Sequence, residues 1–252
     1  RRYAGSKDRR AVRELAWQAI RRFGEPPLTA RSAFVALADE DEQLAALFDG
    51  SGYGPPVVAV DEPRAAGGPL PDWIVPHLSS FIDNSERAAL LDRAPLDVRA
   101  NLLKTTRAEI AVQLPEAEIL DQSPHAMRLP TGWPVDSHPL FTSGFAEIQD
   151  LGSQVIVDAC AVVPGMTVLD LCAGAGGKTL ALAAAMQNSG KLIASDTNRN
   201  RLDQLPPRAR RAGASCIQTL LLNPGREIEM LSDLANTCDL VLVDAPCSGS
   251  GT

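Results

Sequence analysis

Val168-Leu169-Asp170-Leu171-Cys172-Ala173-Gly174-Ala175-Gly176-Gly177-Lys178-Thr179 decides the fold of this 252-residue chain. An apolar run closes on an acid and then opens into three glycines. Glycine lets the backbone turn tightly and approach a ligand where a side chain would collide. A helix over 179–186 would present free N–H groups and a positive dipole end at that turn. Upstream, a helix is predicted over 151–162, and Pro164-Gly165 leads from it into a strand over 167–172. Downstream, Asn188-Ser189-Gly190 turns into a strand over 191–195. A helix from about residue 198, interrupted by Pro206-Pro207, leads to a strand over 216–222, a helix over 228–235 and a strand over 240–243. This alternation predicts an α/β, doubly wound parallel sheet with four strands visible, and such a sheet has more.

Three ligands could use the glycine turn. A P-loop needs Gly-x-x-x-x-Gly-Lys-Ser/Thr; Gly177-Lys178-Thr179 supplies its second half, but its first glycine would fall at Cys172. A nicotinamide fingerprint needs Gly-x-Gly-x-x-Gly; Gly174 and Gly176 fit, and Thr179 stands where the third glycine belongs. The third ligand is S-adenosylmethionine in a class I methyltransferase (Rossmann-like) fold. Asp170 closes the first strand, Gly174-x-Gly176 follows, and Asp196 lies 20 residues after Gly176, the spacing of a ribose-binding acid. The plainer reading is a structural turn, with Asp196 as a helix cap. The ordered set of strand, loop, helix, strand and acid ranks a nucleotide-type ligand above it, with the methyl donor first.

The amino-terminal 150 residues read differently. Val12, Leu15, Ala16, Ala19, Ile20 and Phe23 recur at helical spacing, and Gly24 with Pro26-Pro27 ends that helix; a second is predicted over 32–48. Glycines and prolines crowd residues 50–68, a linker around a short strand at 57–60. A helix over 85–93 follows. Leu96, Val98, Ala100 and Leu102 alternate with polar residues, the pattern of a half-buried strand. A short helix near 106–114 and weaker strands near 117–121 and 126–129 complete a small α/β unit. The expected division is a helical extension and linker over 1–70, a small α/β subdomain over 71–142 and the glycine-loop domain over 143–252.

Composition is that of a globular protein, with 45% hydrophobic and 22% charged residues. No apolar run approaches the roughly 18 residues of a membrane span. The five cysteines form no Cys-x-x-Cys and do not cluster with the three histidines, so neither a zinc site nor a disulfide framework is expected, and a reducing cytoplasm fits. Net charge is −7, yet residues 1–22 hold eight Arg or Lys against Asp8 and Glu14. A second cluster, Arg199, Arg201, Arg208, Arg210 and Arg211, faces only Asp203. Such patches can bind phosphate on an acidic protein, or serve only as solvated helix faces.

The chain closes on Val243-Asp244-Ala245-Pro246-Cys247 followed by Ser-Gly-Ser-Gly-Thr252. Together with the glycine loop, this segment resembles the RsmB/NOP (Sun) family of RNA cytosine-5 methyltransferases, whose donor-binding and Asp-Ala-Pro-Cys motifs it matches. Gly144 through Gln149-Asp150 and Ser153-Gln154 resemble the segment that precedes the family's fold. Arg93 to Lys104, with Asn101, resembles its small RNA-binding subdomain. The resemblance implies that Cys172, Ala173, Gly174, Ala175, Gly176, Gly177 and Lys178 wrap S-adenosylmethionine and that Asp196 holds its ribose. It puts Asn223 where the family places an acid on the donor, and Asp244 between donor and target base. In this family the nucleophile is the Cys of a later Thr-Cys pair, and the Pro-Cys thiol, here Cys247, resolves the adduct. The expected substrate is RNA, ribosomal RNA in particular, acted on by a cytoplasmic monomer without metal or membrane. Arg1 in place of Met and a site built on the last residues give the expectation of a fragment, inactive alone. A non-catalytic RNA- or donor-binding module is the alternative.

Overall fold

The computed structural model describes residues 5–52, 54–68, 70–89, 94–135 and 137–246. Cys247 and the residues after it therefore lie outside the described residues, as do Arg93 and the end of the helix expected over 85–93. The chain divides into two compact units, one up to residue 93 and one from Ala94.

The first unit is helical. Helix α1 spans Ser6–Arg22, α2 Ala30–Ala38 and α3 Glu42–Ala45. The single helix expected over 32–48 is two: α2 ends at Ala38 with Asp39 as its C-cap, and Asp41 starts α3. Its carboxylate accepts the N–H groups of Gln43 and Leu44 at 2.9 and 3.1 Å. Phe23, Val35, Leu37, Leu44 and Phe48 form the core of this unit. Residues 57–60 carry no strand; Val60 is fully exposed, and no strand among the described residues pairs with it. A 3-10 turn at Val75–His77 and helix α4, Asn84–Ala89, follow.

Among its described residues the second unit holds two four-stranded sheets. Strands β1 Leu96–Ala100, β2 Glu118–Ile119, β3 Ala126–Leu129 and β4 Ala146–Ile148 make an antiparallel sheet in the order β2-β3-β1-β4. Helix α5, Arg107–Gln113, is closed at its start by a capping box between Thr106 and Glu109. Helix α6, Pro139–Thr142, precedes β4. Strand β4 lies beyond residue 142, yet pairs with β1 through Val98–Ile148 and Ala100–Ala146.

Strand β1 is buried on both faces, not one. Asp97 and Arg99, the polar half of the alternation, are 3% and 4% exposed. Asp97 takes Arg128 through two bonds of 2.6 and 3.1 Å and the N–H of Leu151 at 3.1 Å. Arg99 donates Nε to Gln149 Oε1 at 2.7 Å, and burial pushes its guanidinium down to about 10. Helix α7, Leu151–Ala159, lies over this face. Buried Asp97 persists there because it is ion-paired and hydrogen-bonded, and buried Arg99 because it is hydrogen-bonded to the Gln149 amide.

The glycine-loop sheet comprises β5 Thr167–Asp170, β6 Lys191–Asp196, β7 Ile217–Leu221 and β8 Leu240–Leu242, all parallel, in the order β7-β6-β5-β8. The chain starts in the middle, steps outward twice, then crosses to the other side of β5. The carboxyl ends of β5 and β8 thus flank a topological switch point, where such sheets bind ligands. Helix α8, Gly177–Ala185, is buried from Thr179 to Ala184, which accounts for its nearly unbroken apolar run. Helices α9 Arg199–Leu202 and α10 Leu205–Ala212 divide at the proline pair. Pro206 and Pro207 sit in the first turn of α10, where no backbone N–H is needed. Helix α11, Glu227–Met230, and a 3-10 turn at Ser232–Leu234 take the place of the one helix expected over 228–235.

The two sheets meet through the end of α10. Asn101, 2% exposed, donates Nδ2 to Gly144 O and Ala212 O, both at 2.7 Å. Lys104 Nζ donates to Ser143 O at 2.8 Å and Arg211 O at 2.5 Å. These side chains satisfy last-turn carbonyls that the helix itself leaves unpaired.

Candidate functional site

The glycine loop takes its shape from its own residues. Gly176 sits at φ +87° as the N-cap of α8, and a Cβ there would lie 2.2 Å from Leu205 Cδ1. It is glycine for conformation and for space. Gly174, at φ +55°, and Gly177 face open room, with nothing within 4 Å of an added Cβ. The loop is tied to β6 by Ala173 N–H on Ser195 O and by Gly174 N–H on Asp196 Oδ2, both 2.8 Å. Arg208 of α10 holds the Ala175 carbonyl at 2.8 Å.

Above the loop lies a cleft of ≈ 380 Å³ whose walls include Gln149, Asp170, Cys172, Gly177, Lys178 and Asp244. Ala173, Asp150, Ser153, Ile148 and Arg208 complete it. Lys178 Nζ reaches across to Asp244 Oδ2 at 2.6 Å and to Ser153 Oγ at 3.1 Å. That pair joins the start of α8 to the end of β8. Asp244 is half exposed, so the pair matters for placing Nζ more than for stability.

Three carboxylates shape the electrostatics. Asp170, 1% exposed, accepts Thr179 Oγ1–H at 2.7 Å and is pushed up to about 6, chiefly by burial. The Cys172 thiol is raised by burial and then by Asp196, Asp170 and Asp244. A thiol held above its ordinary value is less available as the thiolate, the form that attacks or binds metal.

Asp196 ends β6 with Oδ2 on Gly174 N–H and Oδ1 on Asn198 N–H at 2.7 Å. Each carboxylate oxygen retains a second lone pair for a ligand hydroxyl. The helix cap itself is Asn198, not Asp196. Asn223 follows Leu222, whose N–H bonds Asp196 O at 2.9 Å, so it stands on the same edge of the sheet; it is exposed and outside the cleft wall. Thr237-Cys238 precedes β8, at the end of that strand opposite the cleft. Cys247 falls outside the described residues, three positions after Asp244.

Ser153, Gln149 and Arg208 belong to the site although no motif gave them a role in it. Arg208 had a visible signal, the basic cluster on 199–211, but not its direction. It and Arg211 turn inward onto Glu147, 3% exposed, at 3.0 and 2.7 Å.

A parallel sheet in this order, with a glycine loop after its first strand and an acid closing its second, is the Rossmann-like methyltransferase fold. A solved methyltransferase homolog protein from Pyrococcus horikoshii superposes with a TM-score of 0.60 at 27% identity, over 72% of this chain and 64% of that one. Residues 157–252 match the family model described as 16S rRNA methyltransferase RsmB/F. A 26S rRNA (cytosine-C(5))-methyltransferase from Caenorhabditis elegans is 37% identical over 62% of this chain. A probable ribosomal RNA small subunit methyltransferase B from Synechocystis sp. is 31% identical over 73% of it. The chain belongs to the RsmB/NOP family. It spans 24% and 43% of the length of these two relatives.

Proposed function

We propose that this chain binds S-adenosylmethionine in the cleft at the carboxyl ends of β5 and β8 and serves methyl transfer to carbon 5 of cytosine in RNA. Ribosomal RNA is the substrate class its relatives' names carry. The observation that supports the donor is the placing of Asp150, Asp170 and Asp244 in the cleft wall, with Asp196 on the adjoining Gly174 N–H. A negative cleft favours a sulfonium cation and disfavours the phosphates of ATP or a dinucleotide. The bonding of Lys178 to Asp244 adds to the case against a P-loop, where that ammonium would face phosphate.

In this reading Gly174 and Gly177 leave room for the donor against the backbone, and the first turn of α8 presents its unpaired N–H groups. Asp196 takes the ribose hydroxyls, and Asn223 reaches the adenine as a neutral partner. Bound, the donor supplies a methyl group on a positively charged sulfur. Lys178 holds Asp244 at the mouth of the cleft, so that the carboxylate faces an entering base. Cytosine must be unstacked to enter, as for any enzyme working on a base edge. By the family resemblance, Cys247 resolves the covalent adduct. No helix among the described residues is long and apolar enough to cross a membrane, and the cytoplasm is the proposed compartment.

Titration calorimetry tests the donor assignment. S-adenosylmethionine is expected to bind, ATP and NAD to give no heat. Asp196→Asn should weaken the donor tenfold or more, the loss of a charge-assisted hydrogen bond of about 1.5–3 kcal/mol. Preference for ATP or NAD would sink the reading.

A further inference from the structure

Next to the donor cleft lies a second cavity of ≈ 210 Å³, with Val135, Phe141, Glu147, Ile148, Arg208 and Arg211 in its wall. Ile148 and Arg208 also line the donor cleft, so the two spaces adjoin. Both oxygens of buried Glu147 are occupied: Arg208 Nη2 donates at 3.0 Å, and Arg211 Nη2 at 2.7 and 2.9 Å. Two guanidinium groups against one carboxylate leave one positive charge in excess. Arg208 has a structural task for its other Nη, on the Ala175 carbonyl. Arg211 has none: its Nε is buried without an acceptor.

An unpaired buried donor is costly, and a guanidinium fork matches an anion through two parallel N–H bonds. We infer that this cavity is a phosphate subsite, in which Arg211 with Arg208 binds a backbone phosphate of the RNA strand beside the nucleotide being modified. The phosphate supplies both what Arg211 Nε lacks and the missing countercharge. Phe141, Val135 and Ile148 give the attached ribose an apolar wall. The Arg211 side chain keeps 37% of its surface exposed, so its fork can turn toward the cavity mouth. The inference rests on the proposed RNA substrate, but the anion site is separable from it.

Two measurements test it on the full chain. Fluorescence anisotropy with a short labelled single-stranded RNA, over a salt series, compares the wild type with Arg211→Gln and Arg211→Lys. Gln can still donate to Glu147 but carries no charge. It should weaken RNA binding several-fold and make the plot of log K against log salt shallower by about 0.7, one phosphate contact on a single strand. The Lys variant should keep the wild-type slope, and all three proteins should bind S-adenosylmethionine equally. Independently, the Arg211 Nε–H resonance should shift on titration with inorganic phosphate. A Gln variant with wild-type affinity and slope overturns the RNA contact, as does a wild type that ignores RNA while phosphate moves the Arg211 signal; that last outcome leaves a site for free phosphate. An unmoved Arg211 signal overturns the anion site itself. Failure of the wild type to bind S-adenosylmethionine would count against the methyltransferase reading alone.

Discussion

Replacing Asp170 by Asn should change how stability depends on pH, by an amount the structure sets. The side chain is 1% exposed, its Oδ2 accepts from Thr179, and burial raises its carboxyl from 3.8 to about 6. Asp244 and Asp196 push in the same direction, and the Thr179 bond and Lys178 oppose them. A folded-state value above the unfolded one means the folded protein holds this proton more tightly. Its contribution is therefore fully present below about pH 3.8 and lost as pH rises through about 6. At 1.36 kcal/mol per unit, the difference is about 3 kcal/mol. Asn cannot ionise, yet its carbonyl can still accept the Thr179 hydroxyl. Urea unfolding of both proteins from about pH 4 to about pH 8 should show the Asn variant gaining about 2–3 kcal/mol on the wild type across that range. Its absolute offset also carries the cost of a new amide N–H₂, so the change with pH is the readout. Parallel profiles would refute the claim that Asp170 ionises at a cost inside the fold.

Gly176→Ala should destabilise more than Gly174→Ala in thermal melts. Both pay about 1–2 kcal/mol for a left-handed residue, but only at 176 does the new Cβ strike Leu205; equal losses would contradict that packing. Asn101→Ala strips Gly144 O and Ala212 O of their shared donor and should cost about 2–6 kcal/mol in urea unfolding, at about 1–3 kcal/mol for each buried group left unpaired. A loss under about 1 kcal/mol would mean water replaces the amide there.

The glycine-loop domain was legible because its signals are local. An apolar run, a turn that needs φ above zero and a helix start occupy adjacent residues from Val168 to Thr179. The same holds for the proline pair, which marks the start of α10, although position alone could not say that the helix begins there. Reading failed where a residue's surroundings come from distant chain. The alternation over 96–102 looked half-exposed, yet Asp97 and Arg99 are buried under α7 by partners at 128, 149 and 151. Residues 57–60 had the composition of a strand and, among the described residues, no strand to pair with. Asn101 and Lys104, noted within a family motif, turned out to cap α10 more than a hundred residues on.

The amino-acid sequence by itself determined the alternation of strands and helices in the glycine-loop domain, its parallel sheet and the glycine loop with its acids, because each follows from short-range sterics and periodicity. Only the tertiary structure decided where charge goes. It turned Arg208 and Arg211 inward onto Glu147, joined Lys178 to Asp244 and set Asp170 and Asp244 in the wall of one cleft, with Asp196 on the adjoining Gly174 N–H. Those outcomes depend on distances between residues as far apart along the chain as Asp170 and Asp244. Coulomb interactions and desolvation vary with such distances, and no spacing along the chain encodes them.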